Sequence, residues 1–429
     1  MNYSKAGYNK DMSKYKQSFY NVNLIEEGYV IDTKEDVTPV YNTLRGKFGY
    51  IPKDIDYDNP PQNLVKEGFI VPYTIDEPQQ YKQAQVNAIN DEYPTSLVLT
   101  ICPTLACNYS CEYCFERCEN KANMSEEIVS DTITYIKNVI DQNSKLRLIN
   151  IKWFGGEPLL NMSAIREISS FVISYCLSKN IQYYAQIVTN GYFFTKEISH
   201  ELYDLNVRKA QIAMDGFENE YISVRKAPKD AYKRVLKNID DSIVPVWIRI
   251  NTTRTNQDRV IDLLKELSKL PSVQNQHNFI SINRVKDYSY PLKYGFTDKE
   301  WLEFRKQATA LYDILPTRLD TPRLLPCPII QRNNIIISAD GLLYRCDFQI
   351  GDKSKSIGSI KQGIIKNNDI DKKFVCSNIT EKCLKCKYLP LCAGGLCRYA
   401  ELKRGKDCDL IKSKFRQNMQ NYIDNVDSI

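Results

Sequence analysis

A chain of 429 residues with 43% apolar and 26% charged residues is long enough for two or three domains and has the composition of an ordinary soluble globular protein. Its net charge of +6 is the remainder of 58 basic and 52 acidic side chains, and the basic clusters, such as Lys403, Arg404 and Lys406, are short. No nucleic-acid partner is therefore expected. No apolar run reaches the ~18 residues of a membrane-spanning helix. Met1 to Tyr20 lacks the apolar centre of a signal peptide. The expectation is a cytoplasmic protein without membrane contact.

Cysteine is the informative residue. Fourteen thiols fall well below the ~8–10% of a disulfide scaffold, yet they are clustered. Five lie between Cys102 and Cys118, eight between Cys327 and Cys408, and Cys176 stands alone. Clustered thiols in a chain without an export signal point to metal or iron–sulfur ligation. With His200 and His277 the only histidines, metal chemistry here has to be carried by sulfur. That excludes most histidine-based zinc and non-haem iron sites.

The first segment, 1–94, carries no cysteine. Strand-like runs at Tyr20–Leu24, Tyr29–Ile31 and Val37–Tyr41 precede helical stretches at Pro61–Glu67 and Pro78–Ile89. This reads as a small α+β module, serving either recognition or cover. From Thr95 strands and helices alternate. Thr95–Ile101 is a strand, and Ser125 caps a helix with Val129, Ile133, Ile136 and Ile140 on one face. Strands follow at Leu148–Phe154, Tyr183–Thr189, Gln211–Met214, Val246–Asn251 and Phe279–Arg284, separated by amphipathic helices. Cys176 neighbours the apolar face of Ile165, Ile168, Val172 and Tyr175, the place of a small core residue. Helices near Thr297–Ile314 and Leu410–Val426 flank the second cysteine field. Six βα units argue for an α/β fold with a parallel sheet, whose active site sits at the C-terminal ends of the strands. The domains expected are 1–94, 95–315 and 316–429.

Cys107, Cys111 and Cys114 stand in the loop after the first strand, with three and then two residues between them. Three thiolates hold three irons of a four-iron cubane and leave the fourth open to a ligand. Structural zinc wants a fourth protein ligand, which Cys118 would supply. Gly155-Gly156-Glu157-Pro158 ends the second strand. Glycines there let the backbone approach a ligand, and the glutamate suits an ammonium group. Thr189-Asn190-Gly191 closes the third strand, and Gln211-Ile212-Ala213-Met214-Asp215-Gly216 the fourth.

Together these motifs resemble those of the radical S-adenosylmethionine (radical SAM) enzymes, built on a partial (βα)6 barrel. The resemblance implies that Cys107, Cys111 and Cys114 hold a 4Fe–4S cluster whose open iron chelates SAM. Electron transfer then cleaves SAM to a 5′-deoxyadenosyl radical. It implies that Tyr113 lies beside the adenine and that Gly155, Gly156 and Glu157 meet the SAM amine. Asn190 and Asp215 belong to the same site, with Asp215 also the weak candidate for a catalytic base. Arg225, ten residues beyond Asp215, matches an arginine that pairs with the SAM carboxylate. Ala213 replaces a usual serine, and Tyr221 and Ile222 replace a usual His-Asp pair. Arg249 and Asn251 are further candidates for lining the site.

The second cysteine field, Cys327-x13-Gly341-x4-Cys346, then Cys383-x2-Cys386-x5-Cys392-x4-Cys397 and Cys408, resembles the SPASM extension that carries auxiliary 4Fe–4S clusters. It departs from the family spacing once, between Cys392 and Cys397. By likeness Cys383, Cys386, Cys392 and Cys408 hold an outer cluster, and Cys327, Cys346 and Cys397 an inner one. The inner cluster's fourth position is open, takes a substrate thiol, or takes Cys376. A zinc ribbon explains four of these thiols and strands three. Cys102 and Cys118 receive no role.

The first segment resembles the winged-helix-like elements that bind leader peptides in maturases of ribosomally made peptides. The implied activity is a peptide maturase. It abstracts hydrogen from a leader-bearing peptide and forms a thioether or carbon–carbon crosslink, with a ferredoxin or flavodoxin as electron donor. Two alternatives stand beside it. One is an anaerobic sulfatase-maturating enzyme making formylglycine, and the other a non-catalytic iron–sulfur electron carrier.

Overall fold

The computed structural model describes residues 13–31, 34–116, 121–285, 294–311, 320–395, 397–406 and 408–426. Cys118, and the end of the helix expected to reach Ile314, lie outside them. The described residues fall into two compact units. One takes in Ile89–Leu315 and Pro328–Cys376, and the other Met1–Ala88, Pro316–Cys327 and Ser377–Ile429.

The first of these units is α/β. Six parallel strands stand side by side in chain order: β1 (Ser96–Ile101), β2 (Leu148–Trp153), β3 (Gln182–Thr189), β4 (Val207–Ala213), β5 (Val246–Thr252) and β6 (Phe279–Arg284). Between them run α1 (Glu126–Gln142), α2 (Met162–Ser178), α3 (Lys196–Asp204), α4 (Glu218–Arg225), α5 (Ala231–Asp240) and α6 (Val260–Leu267). Ser125 caps α1 by accepting the Ile128 N–H at 3.3 Å, as the sequence suggests.

The strands alternate as a pleat requires. Ile149, Ile151, Trp153, Ala185, Ile187, Ala210, Ile212, Ile248 and Ile250 are buried in one core with Ile136, Ile168, Val172, Val235 and Leu263 of the helices. Asn150, Lys152, Gln186, Gln211, Arg249 and Asn251, at the alternate positions, are half-buried and give the sheet a polar second face. Cys176 is a core residue, 1% exposed.

Beyond β1 the sheet continues with strands the sequence did not announce. β7 (Asn334–Ile337) pairs parallel to β1, with Ile335 opposite Leu99. β8 (Leu342–Tyr344), β9 (Gly358–Ser359) and β10 (Gly363–Ile364) then form an antiparallel meander. β6 and β10 are the two ends of this open, ten-stranded sheet.

The second unit draws on both ends of the chain. Its three-stranded antiparallel sheet is Asn21–Asn23, Val37–Asn42 and Lys47–Pro52. Tyr15–Gln17 pairs with Ile70–Pro72, and helices run over Gln62–Glu67 and Glu77–Asn90. Tyr29–Ile31, expected as a strand, is none. Asn23 accepts the Ile25 N–H at 3.1 Å and Gly28 turns the chain at φ +89°, so Tyr29 enters the core from a loop. Lys47–Pro52 is a strand despite Gly49 and Pro52.

Val22, Leu24, Tyr29 and Tyr41 share one apolar core with Tyr388, Leu391, Ile411, Phe415, Met419 and Ile423. The cores thus run across the divisions at 94 and 315 that the sequence suggested. Residues before 88 and after 377 pack as a single body. Among the described residues no helix is long and apolar enough to cross a membrane.

Phe415, 1% exposed, lies between the rings of Tyr41 and Tyr388 at centroid distances of 5.4 and 5.2 Å. Phe415→Ala is expected to lower stability by about 3–5 kcal/mol and to open the segment around Val22–Ile51 to protease. Denaturant titration and limited proteolysis read both effects. An unaltered cleavage pattern would speak against a shared core.

Candidate active site

Parallel strands put all their C-terminal ends on one edge of the sheet, and every motif singled out in the barrel sequence falls there. The loop after β1 is tied down before it reaches its first cysteine. Thr104 accepts the Ala106 N–H at 3.0 Å, and Leu105 donates to Ala122 at 2.8 Å. On the far side, Ser110 donates to the Arg225 carbonyl at 3.2 Å and Glu112 to that of Val224 at 3.0 Å. The last turn of α4 therefore holds the second half of the loop.

Cys107, Cys111 and Cys114 are half-buried on this loop. Burial pushes the Cys107 thiol up to about 11 and that of Cys114 up to about 12. Burial also raises Cys111, with the Arg225 guanidinium opposing. The three are near enough that charge on Cys111 raises both of the others. The Tyr109 N–H and the Asn190 amide point at the Cys107 sulfur, at 3.4 and 3.9 Å. Among the described residues no group of three or more His, Cys, Asp or Glu is already arranged around a metal position. The fit to an iron–sulfur cluster rests on the donor set: three thiols on one held loop, with N–H groups aimed at sulfur.

Gly155 and Gly156 serve a close approach, but to protein backbone. A Cβ at Gly155, where φ is +106°, would stand 2.3 Å from the Thr104 carbonyl oxygen, and one at Gly156 would stand 2.3 Å from that of Ala106. The Gly156 and Glu157 N–H groups bond those two carbonyls at 3.1 and 2.8 Å. Glu157 is 0% exposed. It accepts from the Thr189 hydroxyl at 2.7 Å, the Asn190 N–H at 2.7 Å and the Leu159 N–H at 3.1 Å. Burial raises its carboxyl while these donors pull the other way.

Through these donors the carboxylate joins the ends of β2 and β3. Asn190 continues the chain of contacts, donating to Asn108 at 2.7 Å and accepting from the Tyr192 N–H at 3.0 Å.

The third focus is Asp215, 2% exposed. Its carboxylate accepts from Arg225 Nη1 at 3.1 Å, from the Tyr113 hydroxyl, and from the Asn251 N–H at 3.3 Å. Arg225 Nη1 also bonds the Ala213 carbonyl at 2.6 Å, and its Nε is buried without a hydrogen-bond partner. The guanidinium lies over the rings of Tyr221 and Tyr109, at 5.2 and 5.5 Å. Burial, followed by the Asp215 charge, pushes the Tyr113 phenol well above its usual value, so it remains a donor. Asn251 donates to Tyr113 at 3.3 Å and accepts from Arg249 at 2.8 Å. Tyr113, Asp215, Arg225, Arg249 and Asn251 thus form one network.

Two parts of the site left no trace in the sequence. Asn256 donates to the Asp215 and Asn251 carbonyls at 2.7 and 3.0 Å and fixes the turn after β5. Near Cys114, Glu116 shares a corner with Lys152 and Asp347, the latter two paired at 3.1 Å. Burial and the Asp347 charge push the Glu116 carboxyl well above its usual range, against Lys152.

In the other unit, Cys383, Cys386, Cys392 and Cys408 are gathered: charge on Cys383 and Cys408 raises the Cys386 and Cys392 thiols, and charge on Cys386 raises Cys392 as well. Burial takes Cys392 up to about 11. For Cys383 the effect of burial is outweighed by the Thr380 hydroxyl and by Lys406, whose Nζ is 3.6 Å from the sulfur, and its thiol is pulled below the usual value. Cys327 and Cys397 belong to this unit as well. Cys346 and Cys376 belong to the sheet-bearing unit.

Residues 101–267 match the model of the Radical SAM superfamily. The chain carries a radical SAM domain. Its cofactors are SAM and a 4Fe–4S cluster, and a non-catalytic electron carrier is set aside. The cysteine-type anaerobic sulfatase-maturating enzyme of Clostridium novyi is 25% identical over 369 residues, 76% of this chain and 96% of that protein. The radical SAM cyclopropyl synthase TigE of Paramaledivibacter caminithermalis is 28% identical over 187 residues, 40% of this chain and 38% of that one.

Among solved structures, native anSMEcpe with bound AdoMet and Kp18Cys peptide superposes with a TM-score of 0.59 at 20% identity, covering 78% of this chain and all of the other. Streptococcus suis SuiB bound to its precursor peptide SuiA gives 0.52 at 13% identity, covering 91% and 97%. Both share the fold described here.

Two substitutions probe this site. Gly156→Ala is expected to push the Ala106 carbonyl, at the start of the cysteine loop, away from residue 156, so that the reconstituted protein binds less iron. An iron assay with the variant's full complement would refute that. Asp215→Asn leaves the Arg225 charge buried without a counter-charge, and a loss of about 3–5 kcal/mol in unfolding free energy is expected by denaturant titration.

Proposed function

We propose that this radical SAM enzyme is a peptide maturase of the SPASM type. It takes hydrogen from a peptide substrate and joins residues through a thioether or carbon–carbon bond. The observation that carries the reading is the presence of two separate thiol sets. Cys107, Cys111 and Cys114 lie at the strand ends of the sheet, and Cys383, Cys386, Cys392 and Cys408 are gathered in the other unit. Peptides bound to anSMEcpe and SuiB support a peptide as substrate.

When bound, the cluster and SAM supply a 5′-deoxyadenosyl radical that abstracts hydrogen. The chain's own residues hold and orient. Glu157 and Asn190 fix the first half of the cysteine loop, and Asp215, through Arg225, the second half. Arg225, with an unused Nε, suits the SAM carboxylate. Tyr113, Arg249 and Asn251 stand in the same network, and the backbone at Gly155 and Gly156 seats the start of the cysteine loop. Glu116, Lys152 and Asp347 form a polar corner beside Cys114.

Oxidising the substrate radical releases an electron that needs an acceptor. The second thiol set gives the chain a place to hold one as an auxiliary cluster. A ferredoxin or flavodoxin suits the reductive step, and a reducing, anaerobic cytoplasm suits this many thiols.

A second reading, formylglycine formation on a sulfatase, is favoured by the Clostridium novyi relative, matched along 96% of its length. Anaerobic co-expression with a short peptide encoded beside the gene distinguishes them by mass. Paired loss of hydrogens is expected for a maturase, and exchange of a cysteine thiol for an aldehyde in a sulfatase peptide for the rival. Either way, Cys107→Ala should abolish release of 5′-deoxyadenosine from SAM, and persistent cleavage would overturn the cluster assignment.

A further inference from the structure

The N-terminal segment makes a set of contacts that peptide recognition does not call for. Along the helix Glu77–Asn90, Tyr81 and Gln85 stand one turn apart on the same face. Gln85 is 0% exposed. Its amide donates to the Leu324 carbonyl at 2.7 Å and to the Ala393 carbonyl at 2.9 Å, and accepts from the Ser377 hydroxyl at 2.6 Å. A primary amide has two N–H donors and an acceptor oxygen, and all are engaged here. Tyr81 donates its hydroxyl to the Arg323 carbonyl, and the Arg323 N–H bonds the Pro390 carbonyl at 2.9 Å. From the small sheet's hairpin, Thr43 (0% exposed) donates its hydroxyl to the Lys387 carbonyl.

Two of these carbonyls lie next to thiols in the chain, and the other two lie just before Cys327. Lys387 follows Cys386, Ala393 follows Cys392, and Leu324 lies three residues before Cys327. Ala393 is also buried in the left-handed conformation, φ +53° and ψ +34°. A residue with a Cβ adopts that conformation at a cost, so the turn after Cys392 depends on something outside itself.

We infer that the N-terminal segment is the scaffold of the auxiliary thiols. Gln85 is the principal positioning residue for Cys392 and Cys327, Tyr81 supports it, and Thr43 positions Cys386. This rests on the reading above that these thiols hold an auxiliary cluster. It adds that the segment before residue 88 is needed to build that cluster, whatever peptide it binds.

The test uses the full chain carrying Cys107→Ala, Cys111→Ala and Cys114→Ala, so that any iron retained is auxiliary. After anaerobic reconstitution, bound iron, labile sulfide and the electron paramagnetic resonance spectrum of the reduced protein are recorded. Gln85→Leu should lose most of the auxiliary iron and shift the spectrum of the remainder. Gln83→Ala, whose exposed amide donates to exposed Asn87 at 2.9 Å, should change neither. Adding Ala393→Gly to Gln85→Leu should restore iron, because glycine takes the left-handed turn unaided, whereas a general loss of stability would not be repaired that way.

If Gln85→Leu fails to fold, Tyr81→Phe and Thr43→Val remove single hydroxyls, and the spectral shift is read there. A triple-alanine parent without iron would sink the cluster reading and this inference with it. A parent that keeps its iron, with unaltered iron and spectrum in every scaffold variant, would overturn the inference alone.

Discussion

A carboxylate with no surface exposed to water is stable only where donors replace the water. Glu157 meets that condition with three, all from the ends of β2 and β3. One buried group therefore sets the spacing of two strand ends, and the glycines before it let the loop of Cys107 seat backbone against backbone. The other half of that loop hangs on α4, whose Arg225 is held by a second buried carboxylate, Asp215. Each half of the cysteine loop thus answers to its own acidic residue. Both carboxylates position the loop through the groups that donate to them.

The two thiol sets live in different surroundings. Burial dominates Cys107, Cys111 and Cys114, and raises all three. In the second set Cys383 departs from this, because Lys406 and Thr380 favour its thiolate. A metal meeting Cys383 finds a ligand readier to give up its proton than Cys107 or Cys114. The loop of Cys107 instead offers N–H groups aimed at sulfur, which favour thiolate once it is formed.

Most of the sheet was legible because period-two and period-3.6 patterns report burial directly. All six parallel strands and the Ser125 cap could be read from the residues. β7 to β10 could not, since they are short and β7 finds its partner, β1, far back in the chain. Lys47–Pro52 was hidden by its glycine and proline, and Tyr29–Ile31 looked like a strand because a core loop can be as apolar as one.

For the site, the spacing of Cys107, Cys111 and Cys114 and the strand-end position of Asp215 were visible. The protein partners of Glu157 were not, because a sequence names a carboxylate without naming the groups that donate to it. Asn256 and the corner of Glu116, Lys152 and Asp347 carry no spacing signal. Their partners meet only through the fold.

The unit that joins both ends of the chain has a consequence for biosynthesis. Val22, Leu24 and Tyr41 find their core partners only when Ile411, Phe415 and Met419 exist. On the ribosome, the whole stretch between Ala88 and Ser377 is made in the meantime. At ~5–20 residues per second this is an interval of roughly tens of seconds. The sheet-bearing unit has its full sequence first, while Val22, Leu24 and Tyr41 wait with apolar faces uncovered. A cell making this protein has to shelter that segment until the helix of Ile411, Phe415 and Met419 arrives.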